Sequence, residues 1–404
     1  MLNTNGPAVA SVIEEAGEDV HPSSAAFRTR DNSQILRFQP YTSDLCYAVA
    51  EFNRRISPVK PSFFLPADPR NCWLPKREER AVYQEIYLAI QGETVRGGYT
   101  LKQQPFSFSG RVFTAAACQM PISEGIADRH YGFAGPRILR DAVRRQPLLF
   151  GLGIGSLDAN ITRLERAMGW ELKVIPFYFK VRNGFRFFRN IEYLKTTPLR
   201  RFALNAAAFS GLGWAAARVA SRILPRGCQN ESSVSAEEAA NFSIWGDEVW
   251  EACQERYSMT AVRNARVLNL LYPPGSPRFI RVKVVERGRA IGWAVLLNTA
   301  MSGSKYFGNM RVGTIVDCLA LPENAGKVIR AAAQALERRD VDLLISNQSH
   351  PAWCRGLADA GFIEGPSNFL LTLSQQIVKL LDSSDPERKA IHMNRADGDG
   401  PIHL

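Results

Sequence analysis

Histidine and paired cysteine are scarce in this 404-residue chain. The five histidines, at 21, 130, 350, 392 and 403, show no HxxxH or HExxH spacing, which speaks against a helical zinc site, so no metal is expected. Seven cysteines stand singly at 46, 72, 118, 228, 253, 318 and 354. With no CxxC pair and an odd total, a reducing compartment is expected rather than a disulfide framework. Residues 1–26 hold no Lys or Arg, the wrong composition for a secretory leader. A charge-free run at 202–217 is 16 residues long, short of the roughly 20 that span a bilayer. A cytoplasmic protein is expected.

What is present suits two globular domains: 46% hydrophobic and 22% charged residues over a length that exceeds one ordinary core. The net charge of +11 is unevenly placed. Residues 182–226 carry nine basic residues and one acid, Glu192, so this segment alone stands at +8. Two readings stay open for it: an Ala-rich connector with a solvated basic face, or a peripheral anchor lying on an anionic membrane at the inner face. Expected boundaries are a loose leader at 1–34, a first domain at 35–190, a connector at 191–245, a second domain at 246–376 and a polar tail at 377–404, with no chemistry expected of leader or tail.

The two halves repeat one another. Alternating strands at 83–91 and 95–102, joined by Gly92, form a hairpin that recurs at 279–287 and 290–298. Each is followed by a third strand ending at a proline (112–122; 312–323), a helix (about 135–146; about 324–338), a buried strand (148–153; 341–346) and a second helix. That helix ends in Gly169-Trp170 or Gly361-Phe362. From hairpin glycine to helix-end glycine is 72 residues in the first half, Gly97 to Gly169, and 69 in the second, Gly292 to Gly361. An internal duplication explains the match, and the fold class is α/β, two tandem units each with a twisted mixed sheet flanked by helices.

Between the third strand and the following helix lies RHYGFAGP at 129–136. Small residues there let a ligand approach the backbone, and Pro136 at a helix start wastes no donor. Unpaired amides at such a start suit an anionic diphosphate, although Gly132 and Gly135 also fit ordinary turns. Hairpin, third strand, R-x-x-G-x-A, helix, buried strand and helix ending in Met-Gly-Trp together resemble the GNAT superfamily of N-acyltransferases over about 80–180, and more weakly over about 279–375. The tandem arrangement is similar to Fem-type aminoacyltransferases, mycothiol synthase and exopolysaccharide-cluster acyltransferases.

The resemblance implies that Arg129, His130, Tyr131, Gly132, Phe133, Ala134 and Gly135 cradle the diphosphate of acetyl-CoA or another acyl-CoA. It also implies that Gln119, Met120, Pro121 and Ile122 splay from the neighbouring strand to hold pantetheine and thioester. The second half has PENAGK at 322–327 in place of the loop, so only the first half is expected to bind CoA. The tyrosine often found four residues before the helix-end glycine is Glu165 here, leaving Tyr131 or water to protonate the thiolate. Glu124, just past Pro121, is the expected base that takes a proton from the amine, unless it is only a solvated loop carboxylate. In the second half Asp317, Asn347, His350 and Trp353 form a polar cluster suited to a substrate or to buried hydrogen bonding.

The activity implied is acyl transfer to a small-molecule or lipid-linked amine, on a sugar or cell-envelope precursor. An inactive scaffold is the alternative. Gly151, Gly153 and Gly155 offer a third reading, the glycine motif of S-adenosylmethionine methyltransferases, but Phe150 and the run 174–177 stand where acids would be needed. No nucleic-acid motif accompanies the basic segment, and no nucleic acid is expected.

Overall fold

The computed structural model describes residues 35–61, 63–191, 234–384 and 390–398. The expected leader and most of the connector, including the run at 202–217, lie outside the described residues. The first half comprises β1 (Leu36–Pro40), α1 (Cys46–Ile56), β2 (Tyr83–Gln91), β3 (Thr94–Phe108), β4 (Arg111–Ser123), α2 (Ala134–Arg145), β5 (Leu149–Ile154), α3 (Asn160–Ala167), β6 (Glu171–Val181) and α4 (Gly184–Asn190). The second comprises β7 (Val234–Glu238), α5 (Ile244–Cys253), β8 (Thr260–Ala261), α6 (Ala265–Leu271), β9 (Ile280–Glu286), β10 (Arg289–Ala300) and β11 (Arg311–Ala320). It continues with α7 (Ala325–Glu337), β12 (Leu343–Asn347), α8 (Pro351–Asp359), β13 (Ile363–Leu373) and α9 (Gln375–Ser384).

The elements of the repeat follow in the expected order in both halves, and their shared geometry has a physical cause. A Cβ on Gly97 would sit 2.7 Å from Ile138 of α2, and one on Gly292 would sit 2.6 Å from Val328 of α7. In each half the helix after the third strand therefore presses onto the hairpin where no side chain intervenes. Gly169 and Gly361 end α3 and α8 at φ +74 and +81, a conformation that glycine adopts without steric cost. Helix α2 owes its register to amphipathicity: Ile138, Leu139 and Ala142 are buried while Arg137, Arg140 and Arg144 face out.

Strand order departs from two side-by-side sheets. It runs β1-β2-β3-β4-β5-β13-β6-β12-β11-β10-β9-β7, with β8 beside β3. The last strand of the first half, β6, pairs with β12, and the last strand of the second, β13, pairs with β5. The halves thus exchange their final strands and share one mixed sheet. Helices α2 and α3 pack on one face with Ala116 and Leu149. Helix α9 packs on the opposite face with Ala117, Phe150 and Leu371.

The expectation of a polar tail from 377 is corrected. Residues 375–384 are helical, and Met393, Asn394, Ala396 and Asp397 are buried. Alternating apolar side chains at Ile391 and Met393 join the core beneath α9. The carbonyls of Ala396, Asp397 and Gly398 accept from the buried Lys102 ammonium at 2.7, 3.2 and 3.3 Å.

Candidate functional site

Strands β4 and β5 run parallel, but they pair only at Ala116–Leu149 and Ala117–Phe150. Beyond that they part. On its other side β4 bulges against β3, its register jumping from Thr100–Gln119 to Gly98–Ile122. Met120 takes up the bulge at φ +47, outside the region favoured by residues with a side chain. Past Ala117, β4 has no pairing with β5, and the bulge at Met120 lies in this unpaired stretch.

The chain leaving the splay makes two short 3-10 turns, Glu124–Ile126 and Arg129–Tyr131, and then enters α2 at Ala134. The two turns touch backbone to backbone: a Cβ on Gly125 would lie 2.8 Å from the Tyr131 carbonyl oxygen. Asp128 stiffens the second turn by accepting from the His130 amide at 2.9 Å. Helix α2 begins two residues before Pro136, and no side chain caps its N-terminus. Its early amides keep donor capacity at the positive end of the helix dipole. Arg129, His130, Arg137 and Arg140 are exposed around this start and give it a cationic rim.

A cavity of about 300 Å³ lies between this helix start and α3, lined by Pro121, Ser123, Gly125, Gly132, Gly135 and, from α3, Asn160 and Leu164. Gly132 has φ −55, an ordinary helical value, so its use here lies in the missing side chain and not in a special backbone angle. The corresponding place in the second half is closed. There a Cβ on Gly356 of α8 would lie 2.9 Å from Cα of Gly326 in α7, so the two helices meet backbone to backbone. Lys327 is turned to Glu286 at 2.7 Å.

The contacts show what each expected residue touches. Glu124 is buried, and its carboxylate accepts from Arg55 at 2.7 Å and from Arg96 at 2.8 Å. With both oxygens taken up by guanidinium groups, the Glu124 carboxylate braces the loop. Tyr131 is half-buried with the Arg96 guanidinium 3.9 Å over its ring, which fixes the loop to the same cluster. Gln119 turns to the other face, where its amide donates to the Gly398 carbonyl at 3.0 Å and its oxygen accepts from Gln84 at 2.7 Å.

The second-half cluster is structural, apart from Asn347. Asp317 is buried and accepts from Arg263 at 2.9 Å, Tyr272 at 2.7 Å and Asn394 at 2.8 Å. Arg263 also bonds both oxygens of Asp397 at 2.8 Å, which ties the C-terminal segment into the second-half core. His350 caps α8, its Nδ1 accepting from the Ala352 amide at 3.1 Å, and burial lowers its pKa to about 4. Trp353 donates to the Tyr257 hydroxyl at 3.1 Å and stacks on His392. Asn347 is bonded to Pro176 and Arg395 but also lines a second cavity.

Glu165, at the position expected for a tyrosine, is buried away from the first cavity and accepts from the Thr372 hydroxyl at 3.2 Å. Burial pushes its pKa up to about 7. Gly151 of β5 serves packing, since a Cβ there would lie 2.6 Å from the Thr372 hydroxyl oxygen. The glycine-motif reading loses its basis there. Gly125, Arg55, Arg96 and the segment 390–398 were not singled out from the sequence. Only the alternation of Ile391 and Met393 could have pointed to the last of these.

The chain matches no family profile and no curated protein sequence. Among solved structures it is similar to a GCN5-related N-acetyltransferase from Anabaena variabilis, with TM-score 0.49 and 10% identity, covering 83% of this chain and 72% of that one. It is also similar to Saccharomyces cerevisiae N-myristoyltransferase with bound myristoyl-CoA and inhibitors, with TM-score 0.47 and 10% identity over 90% and 86% of the two chains. A tandem GNAT protein from the clavulanic acid biosynthesis pathway gives TM-score 0.43 and 13% identity over 84% and 98%.

Proposed function

We propose that the protein is an acyl-CoA-dependent N-acyltransferase whose first half binds the co-substrate. The carrying observation is the cavity between the α2 start, the end of β4 and α3, set against direct helix contact at the same place in the second half. The residues fit an acyl-CoA: bare backbone at Gly132 and Gly135, an uncapped helix start and exposed arginines suit a diphosphate. The parted strands leave backbone edges for the amides of pantetheine. A neutral amine attacks the thioester carbonyl, a C–N bond forms, and the C–S bond breaks. The proton lost by the nitrogen ends on the CoA sulfur.

Calorimetric titration with acetyl-CoA and with S-adenosylmethionine tests this in wild type and Gly132→Val. Micromolar acetyl-CoA binding, lost in the variant, is expected. Binding of neither ligand would leave a scaffold without transferase activity. Amines on sugars and cell-envelope precursors, the acceptors expected from the sequence, enter the acceptor screen as one class and apolar amines as the other.

A further inference from the structure

A second cavity, of about 200 Å³, has the rings of Phe177, Tyr306, Phe307 and Phe369 as walls and Asn347 and Arg395 as polar edges. It lies on the sheet face that carries the C-terminal segment, since Phe369 packs with Ile377 and Met393. The polar edge is already fixed. Arg395 donates to the Asn347 oxygen at 2.8 Å and lies 5.4 Å over the Phe369 ring, while Asn347 donates to the Pro176 carbonyl at 3.1 Å.

The cavity adjoins the splay from two directions. The Gly155 amide, just past β5, donates to the Asn368 carbonyl at 2.8 Å, so the cavity wall stands beside one lip of the splay. On the other lip, Gln119 of β4 holds the Gly398 carbonyl at 3.0 Å. Arg395 and Gly398 are three residues apart, a reach of at most about 11 Å. The short segment 395–398 thus links the polar edge of the cavity to β4 at the splay.

We propose that this cavity is the acceptor site and that it takes a primary amine carrying an aryl or short alkyl body, with the nitrogen directed to the splay. The proposal rests on the acyltransferase reading and names its acceptor class. An apolar cavity of about 150 Å³ is enough to hold benzene, so the space here suits a phenyl ring with a short chain. A sugar ring would bring several hydroxyls to a wall in which Phe177, Phe307, Phe369, Ile191 and Pro366 offer no hydrogen bond. Asn347, Arg395 and Ser367 are already engaged, Ser367 through the Ile175 carbonyl, and a hydroxyl buried without a partner is costly.

The test uses the full chain, with 2-phenylethylamine and glucosamine as probes. Binding is followed by calorimetry with and without acetyl-CoA, and transfer by release of CoA thiol. Phe307→Ala opens a wall, and Asn368→Trp places a ring at the mouth from an exposed position. Phenylethylamine is expected to bind and to be acylated, glucosamine to do neither, and both variants to weaken phenylethylamine at least tenfold with acetyl-CoA affinity unchanged. Absent phenylethylamine binding, binding indifferent to both variants, or preference for glucosamine would each overturn the proposal while leaving acyl-CoA binding intact. Loss of the transferase reading has a different signature: no acetyl-CoA binding in wild type, with phenylethylamine still held and still sensitive to the two variants.

Discussion

At Gly132 an added Cβ would come within 3.1 Å of the Arg129 carbonyl oxygen, and the branches of a valine would extend into the space proposed for the diphosphate. Because the position is exposed, Gly132→Val should shift stability by no more than about 1 kcal/mol in thermal unfolding while removing acetyl-CoA binding. Glu124 behaves in the opposite sense. Its neutral amide in Glu124→Gln would leave Arg55 and Arg96 without their shared counter-charge, at a cost of about 2 kcal/mol measured by denaturant unfolding. Turnover should follow the folded fraction and keep its pH profile, which a true base would not permit. Glu165 carries a pH signature of its own. With its pKa raised to about 7, the native state binds the proton more tightly, so its contribution is full below about pH 4.5 and is lost as pH rises to 7. The buried His350 and His392 act with the reverse sign, since both are held neutral and lose their contribution as pH falls. The histidine slope is common to wild type and Glu165→Gln, so the difference between them isolates the carboxyl: wild-type stability minus variant stability should fall by about 2 kcal/mol between pH 5 and pH 7.

At the scale of elements, the same helix–strand–helix unit has two outcomes. In the first half Gly135 meets nothing nearer than the Ser123 hydroxyl at 3.5 Å, and α2 and α3 stand apart around a cavity. In the second half Gly326 and Gly356 let α7 and α8 close completely. Gly356→Ala would force those backbones apart and should cost about 1–3 kcal/mol in urea unfolding, with acetyl-CoA affinity unchanged because the first-half cavity is untouched. The missing loop motif at 322–327 was legible as a difference between the halves. That direct helix contact replaces it was not, because a glycine's neighbours across two helices are set by packing and not by its own chain.

Across the whole molecule, exchange of β6 and β13 makes the halves interdependent. Each half borrows its neighbour's last strand to satisfy a ladder, β13 on β5 and β6 on β12. Arg263, Asp317 and Asp397 add a buried ionic tie between the second-half core and the C-terminal segment, which Lys102 of the first half also grips. Calorimetric unfolding should therefore give one transition with equal calorimetric and van't Hoff enthalpies, and residues 1–190 expressed alone should not give a cooperative fold. Two transitions would mean that the shared sheet does not couple the halves.

Local pattern and spacing determined the strands, the helices, the repeat and the bare-backbone loop, because period-2 and period-3.6 burial and the turn glycines are properties of neighbouring residues. The loop at 129–135 was readable for the same reason. Glu124, Asp317 and Trp353 were not assignable from the sequence, since their chemistry is set by partners more than fifty residues away. The same holds for the strand exchange and for the burial of 390–398. Sheet order and long-range ion pairs depend on which surfaces meet after collapse, and no local signal carries that choice. In this chain only the tertiary structure decided that Glu124 braces the loop, that the second-half polar cluster is largely core, and that an aromatic cavity stands beside the splay.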